Sequence, residues 1–298
     1  MDKTDMILCL LLMSNSRMSY RELANRLSLS VTAVHSRIKS LVEQGVIRRF
    51  SARLSPRVFK AVSILVFGLS RVVPVQELEK ELAEHGSVYW LGVGGGNYLY
   101  VGAYLREISE LDSLVSCLRD KAGILEPTVG IVSNTSLPGD TVLVEAKLSS
   151  LDYRIIRSLA DDSRKALSEV AEELGVSTKT VRHRLERMME LGLVNMSIDW
   201  YPDASNDIMA VLHLNLKPGT NSDAAGKALQ KHWPNVFMTW SFSNIPSLIL
   251  SFAWTNTMKE LKELCKKLEQ ESVFQSVSPN VLYTGYVFKT WVDRLVEK

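Results

Sequence analysis

Three observations predict an α+β chain. A segment repeats in register, each copy opens with helix signals, and each closes with an alternation of strands and helices. Displace the sequence so that Asp5 falls on Asp152, and two segments align without a gap. Leu8 then meets Ile155, Leu12 meets Leu159, and Ser16-Arg17 meets Ser163-Arg164. Leu23-Ala24 meets Val170-Ala171, Ser30 meets Ser177, Val34 meets Val181 and Arg37 meets Arg184. Gly45-Val46-Ile47 meets Gly192-Leu193-Val194. Such self-similarity marks a repeated structural unit. The expected division is a helical module over 1–57, an α/β module over 58–138, then the same pair over 148–202 and 206–298. Pro138-Gly139-Asp140 and Pro202-Asp203-Ala204-Ser205-Asn206 carry turn chemistry at the boundaries.

The first helical module starts with an apolar helix from Asp5 to Met13. Ser19-Tyr20-Arg21-Glu22 has the form of a capping box, and the helix it opens carries Leu23, Ala24 and Leu27 on one face. After the turn Ser28-Leu29, Ser30 caps a second helix whose buried stripe is Val34, Ile38 and Leu41. Gly45 ends it, and Val46 to Leu54 reads as a short hairpin, a wing. Two short helices joined tightly make a helix-turn-helix, whose second helix enters a DNA major groove. The expected DNA-contacting residues of the first copy are Ser30, Thr32, Ala33, His35, Ser36 and Lys39, with Arg37 placed to hold a phosphate. The wing adds Arg48, Arg49 and Arg53, followed by Arg57. The second copy presents Ser177, Thr178, Lys179, Thr180, Arg182, His183, Arg184 and Arg187. Its wing, Asn195 to Asp199, has no Lys or Arg.

Strand and helix patterns then alternate as βαββαβ in each copy, the ferredoxin-like split unit. In the first copy the expected elements are Ala61–Leu69, Val75–His85, Val88–Val93, Tyr98–Leu105, Ile108–Lys121 and Thr128–Ser133. In the second they are Ile208–Leu216, Ala224–Lys231, Val236–Ser241, Leu248–Thr255, Met258–Glu271 and Val281–Lys289. A four-stranded sheet with helices on one face leaves its other face bare. Pairing the two bare faces gives an intramolecular pseudo-dimer.

Composition sets the outer bounds. Hydrophobic residues make up 46% and charged residues 23% of the 298 residues, ordinary values for a globular protein. No apolar run reaches the ~18 residues of a membrane span, and the start lacks the features of a signal peptide. A cytoplasmic protein is the expectation. The net charge is only +2, yet residues 1–60 hold eleven Lys and Arg against four Asp and Glu, a basic module. Cys9, Cys117 and Cys265 sit singly among leucines, so buried thiols are expected rather than a disulfide or a metal site.

The whole chain resembles a tandem form of the Lrp/AsnC family of prokaryotic regulators. The residues that carry the resemblance are Glu22 to Ser30, Val34, Arg37, Leu41 and Glu43 to Ile47. In the second copy they are Glu169 to Ser177, Val181, Arg184-Leu185, Met188 and Glu190 to Val194. The resemblance implies a sequence-specific transcription regulator bound to double-stranded DNA, working as a homodimer or a pseudo-dimeric monomer, with no cofactor. It also implies a small-molecule effector, such as an amino acid, at Gly94, Gly95, Gly96 and Asn97. In the second copy that loop reads Ser243-Asn244-Ile245-Pro246-Ser247 and has lost the glycines.

Siroheme decarboxylases share this domain pair, which makes an enzyme of haem biosynthesis the first alternative. The segments Val88–Leu105 and Val236–Thr255 contain no histidine, and His85 and His232 fall at matching helix ends, where a partly positive ring suits the helix dipole. No catalytic constellation stands out, so the expectation is a protein that is not an enzyme. A scaffold that binds a ligand or protein, with vestigial readers, is the second alternative.

Overall fold

The computed structural model describes residues 1–71, 75–135 and 147–297. The first half runs α1 (Lys3–Ser14), α2 (Tyr20–Leu27), α3 (Val31–Glu43), β1 (Ile47–Leu54), β2 (Val62–Leu69), α4 (Val75–His85), β3 (Val88–Gly94), β4 (Tyr98–Leu105), α5 (Leu111–Asp120) and β5 (Thr128–Thr135). The second runs α6 (Ser150–Leu159), α7 (Leu167–Leu174), α8 (Thr178–Glu190), β6 (Val194–Trp200), β7 (Ile208–Leu216), α9 (Ser222–Gln230), β8 (Val236–Phe242), β9 (Leu248–Thr255), α10 (Met258–Glu269), β10 (Phe274–Val287) and α11 (Trp291–Glu297).

The described residues gather into two compact units, like with like. One draws on Met1–Lys60, Pro138–Ser205 and Trp291–Lys298, the other on Ala61–Leu137 and Asn206–Thr290. The expected boundary at Pro138-Gly139-Asp140 lies outside the described residues. The expected final segment, 206–298, is too long: α11 belongs with the helical modules. Val292 and Val296 are buried with Ile155, Ile156 and Leu159 of α6. The Trp291 ring also sits edge-on to Phe59, 5.8 Å between centroids.

In the helical unit, serine caps start the helices as their side chains dictate. Ser30 accepts from the Ala33 N–H and Ser177 from the Thr180 N–H, each at 3.1 Å. Ser19 caps α2, accepting from the Glu22 N–H at 3.1 Å, but its expected capping box is only half made. The Glu22 carboxylate instead takes the Arg26 guanidinium, one turn on, at 2.9 Å. The turn into each second helix needs a left-handed residue, and Ser28 (φ 55°) and Gly175 (φ 66°) occupy the equivalent place. The buried stripe of α3, Val34, Ile38 and Leu41, packs on Leu8, Leu12 and Leu23. That of α8, Val181, Leu185 and Met188, packs on Ile155, Leu159 and Val170.

The expected wing hairpin is not formed. Instead β1 is a lone strand that pairs antiparallel with β6, its counterpart in the other copy. A strand must satisfy its N–H and C=O groups, and the second copy supplies the partner without the chain doubling back. Phe50 pairs with Ile198, and Ser51 with Ser197. The repeat offset of 147 residues carries the first pair onto the second, so a pseudo-twofold axis passes between them. Other equivalent residues meet across it. The buried Ser16 and Ser163 hydroxyls bond each other at 2.6 Å. Arg17 donates to the carbonyls of Ser163 and Lys165, and Arg164 donates to the carbonyl of Met18 at 3.0 Å.

The second unit is a closed barrel of order β10-β3-β4-β2-β5-β8-β9-β7. Each copy contributes βαββαβ as expected, but the sheets also join at their edges. Strand β5 pairs with β8, and β10 pairs with both β7 and β3. To reach both, β10 starts at Phe274 rather than the expected Val281. Closure leaves no strand of the barrel with a free edge. Alternation sends Ile64, Val66, Val101 and Ala103 into one helix-covered core, and Ala210, Leu212, Leu214 and Ile249 into the other.

The intervening residues fill the barrel with rings laid on glycines. A Cβ on Gly102 would lie 2.4 Å from the Tyr89 ring, and one on Gly130 would lie 2.3 Å from Phe242. Tyr89 is itself stacked on Tyr104 at 4.3 Å, so it has nowhere to retreat. Gly102→Ala is therefore expected to cost roughly 1–3 kcal/mol of stability through overpacking. Urea unfolding of the variant checks this, and an unchanged midpoint would mean that the ring pair shifts freely.

Candidate nucleic-acid interface

On α3, Thr32, His35, Ser36 and Lys39 are exposed and Ala33 is half-buried, with Ser30 exposed at the cap. These are the residues expected to face DNA. Two are partly engaged. The His35 ring tilts against Tyr20, 5.3 Å between centroids, and Lys39 lies 3.7 Å from Glu43.

Arg37 does not serve as a free phosphate ligand. Its guanidinium binds Asp5 at 2.6 Å and Asp2 at 2.8 Å, which ties α3 to the start of α1. The second copy repeats the device. Arg184 binds the buried Asp152 at 3.0 Å and the Ser149 hydroxyl at 2.8 Å. Burial alone would raise the Asp152 carboxyl. The Ser149 N–H and hydroxyl together with Arg184 more than offset this and hold it below the usual carboxylate range. The matched arginines are thus struts between helices.

The basic wing also reads differently in three dimensions. Arg49 binds Asp199 at 2.5 Å and Asp161 at 2.5 Å, and Arg53 binds Asp199 at 3.0 Å. The first copy's strand cations are therefore neutralised by an acid of the second copy's strand. Arg48 remains exposed, its guanidinium 3.6 Å over the Tyr201 ring.

On α8 the balance reverses. Lys179, Arg182, His183 and Arg187 are exposed, while Thr180 and Arg184 are half-buried, and Ser177 is exposed at the cap. Lys179, Arg182 and Arg187 have no ion-pair partner among the described residues. The module whose surroundings are more acidic in sequence thus presents the freer cations on its second helix.

In the barrel unit, Gly94 to Asn97 forms a tight turn, with Gly96 at φ 68° and Asn97 at φ 61°. The Gly95 N–H donates to Asn280 Oδ1 at 2.7 Å, and a Cβ on Gly94 would lie 2.6 Å from that oxygen. Gly94 is required by this close approach. In the second copy, Asn244 holds the Ile131 N–H at 2.8 Å and the Val129 carbonyl at 2.7 Å.

Sequence reasoning passed over His213 on β7. Its Nε2 shares a 2.7 Å hydrogen bond with the Tyr100 hydroxyl, and Phe67 and Tyr98 pack on the imidazole ring. The signal was its place between Leu212 and Leu214, on the inward side of an alternating strand. Burial lowers its pKa to about 4. The expected partly positive ring at His85 is also corrected: burial pushes its pKa down, and its Nδ1 is buried without a partner. His232 instead lies 3.3 Å from Glu271. Cys9 and Cys265 are buried and Cys117 half-buried, all as thiols. No described helix is long and apolar enough to cross a membrane.

Comparison with known proteins bears on both units. A family model described as winged helix-turn-helix DNA-binding matches twice, over residues 1–48 and 148–195. An uncharacterized HTH-type transcriptional regulator of Pyrococcus horikoshii is 32% identical over 119 residues, 39% of this chain and 74% of that protein. The HTH-type transcriptional regulator LrpA of the same organism is 26% identical over 117 residues, 39% of this chain and 83% of that protein. Among solved structures, the siroheme decarboxylase NirDL matches 99% of this chain and 97% of its own, with a TM-score of 0.59 and 16% identity, a likeness of fold. Two winged helix-turn-helix copies, two βαββαβ units and two regulator relatives that each align with 39% of the chain lead to the same conclusion: the chain belongs to the Lrp/AsnC family of HTH-type transcriptional regulators, in a duplicated form.

Proposed function

We propose that the chain is a DNA-binding transcription regulator whose two readers, α3 and α8, dock together on one duplex. The pseudo-twofold pairing of β1 with β6 carries the reading: it joins both helix-turn-helix modules in one compact unit and leaves both second helices exposed. Double-stranded DNA is the partner and the cytoplasm the setting. Base contacts fall to Thr32, Ala33, His35 and Ser36 of α3 and to Lys179, Thr180, Arg182 and His183 of α8. Lys39, Arg48 and Arg187 supply phosphate contacts. An amino-acid-sized effector at Gly94 to Asn97 would compete with Asn280 for the Gly95 N–H.

The chain is read as a non-enzyme. A carboxylate-rich tetrapyrrole calls for cations, and the barrel interior offers aromatic rings and the neutral His213. Fluorescence anisotropy on the chain's own upstream DNA and on random duplex, across a salt series, tests the proposal. Preference for the upstream DNA with a steep salt slope is expected. Absence of binding to either duplex at low salt would remove the reading.

A further inference from the structure

The two modules share a fold, but their charges are arranged in opposite ways. On α3 the exposed side chains are short or engaged: Thr32 and Ser36 are small, and His35 leans on Tyr20. On α8, Arg182 stands where α3 has His35, exposed and without an ion-pair partner among the described residues. A free guanidinium near the start of a recognition helix suits the O6 and N7 of guanine in the major groove.

The first helix of a helix-turn-helix crosses the phosphate backbone. In the first copy that helix, α2, exposes Arg21 and Arg26 beside Glu22. In the second, α7 carries no cation and exposes Glu169 and Glu172, while its third acid, Glu173, is paired with Lys165 just before the helix. Phosphates approaching α7 are repelled, so α8 gains little from a duplex that offers Arg182 no guanine.

We propose that the readers divide the work: α8 selects a guanine-containing half-site through Arg182, while α7 penalises non-specific docking. The first module supplies the weaker, more sequence-tolerant half. The target is then non-palindromic, and one chain binds it in one orientation. This inference rests on the DNA-binding reading above.

Selection from a randomised duplex with the full chain, followed by anisotropy titrations, tests it. The selected site is expected to be asymmetric, with an invariant guanine in one half only. Arg182→Ala should lose roughly 5- to 150-fold on that site and almost nothing on random duplex. Ser36→Ala should lose less. Glu169→Gln combined with Glu172→Gln should bind random duplex several-fold more tightly and narrow the ratio of specific to random affinity. All four positions are exposed, and equal thermal midpoints confirm intact folding. A palindromic selected site, equal losses for Arg182→Ala and Ser36→Ala, or an unchanged random-duplex affinity of the double Gln variant would each overturn the division of labour. Binding to no duplex would instead overturn the DNA-binding reading beneath it.

Discussion

Asp199→Ala is expected to destabilise the helical unit by roughly 2–4 kcal/mol, the largest effect of any single surface-strand change in it. Its carboxylate, 11% exposed, takes Arg49 Nε at 2.8 Å, Arg53 at 3.0 Å and the Ser51 hydroxyl at 3.2 Å. Removing it leaves two partly buried guanidiniums on one face of β1 with their shared counter-ion gone. Loss of one partner costs more than the pair contributed, because the remaining charges stay desolvated. The comparison variant is Asp161→Ala. That acid also touches Arg49, but its side chain is 79% exposed, so the expected loss is under about 1 kcal/mol. Urea unfolding followed by far-UV circular dichroism separates the two. Equal losses would mean that the β1–β6 pairing draws nothing special from Asp199. In DNA titrations Asp199→Asn should steepen the salt dependence, since Arg53 then loses its acidic partner while Arg49 keeps Asp161.

The same acid shows where sequence reading runs out. The helix-turn-helix was legible because its signals are local: a serine cap, a stripe at Val34, Ile38 and Leu41, and a glycine at the end. Strands β2, β4, β7 and β9 were legible for the same reason, from β-branched and alternating runs. Partners are not local. The run from Val46 to Leu54 announces a strand, but nothing in it names β6 as the neighbour. Asp199 was read as a wing lacking cations, when it is the counter-ion of the other wing. Arg37 resembled a phosphate ligand because Asp5 lies 32 residues away. Yet the repeat preserves both members of each strut, Asp5 with Arg37 and Asp152 with Arg184, and that joint retention was the available clue. Helix α11 had its own signal, apolar residues at Trp291, Val292, Leu295 and Val296, which the expected last strand and segment boundary obscured.

The barrel unit should lose stability in mild acid before its carboxylates titrate, and His213 is the reason. An unfolded histidine takes up its proton near pH 6.5, whereas burial among Phe67, Tyr98 and Tyr100 lowers the folded value to about 4. Between those values the unfolded chain binds a proton that the folded barrel refuses, so stability rises with pH across the window and is lost as pH falls from 6.5 toward 4. The full difference amounts to roughly 3 kcal/mol or slightly more. Carboxylates behave separately. In the barrel, Glu271 is held below the usual range, first by the hydrogen bond from Lys231, so the stability that it contributes is present above the unfolded pKa and is lost only as pH falls through the folded one. His213→Gln retains a polar group for the Tyr100 hydroxyl and removes the titration. Its urea midpoint should change far less than the parent's between pH 7 and pH 4.5. The residual slope should reflect groups such as half-buried His85, which is shifted in the same direction. A parent and variant with parallel pH profiles would mean that His213 charges inside the barrel, and that the rings around it open to admit water.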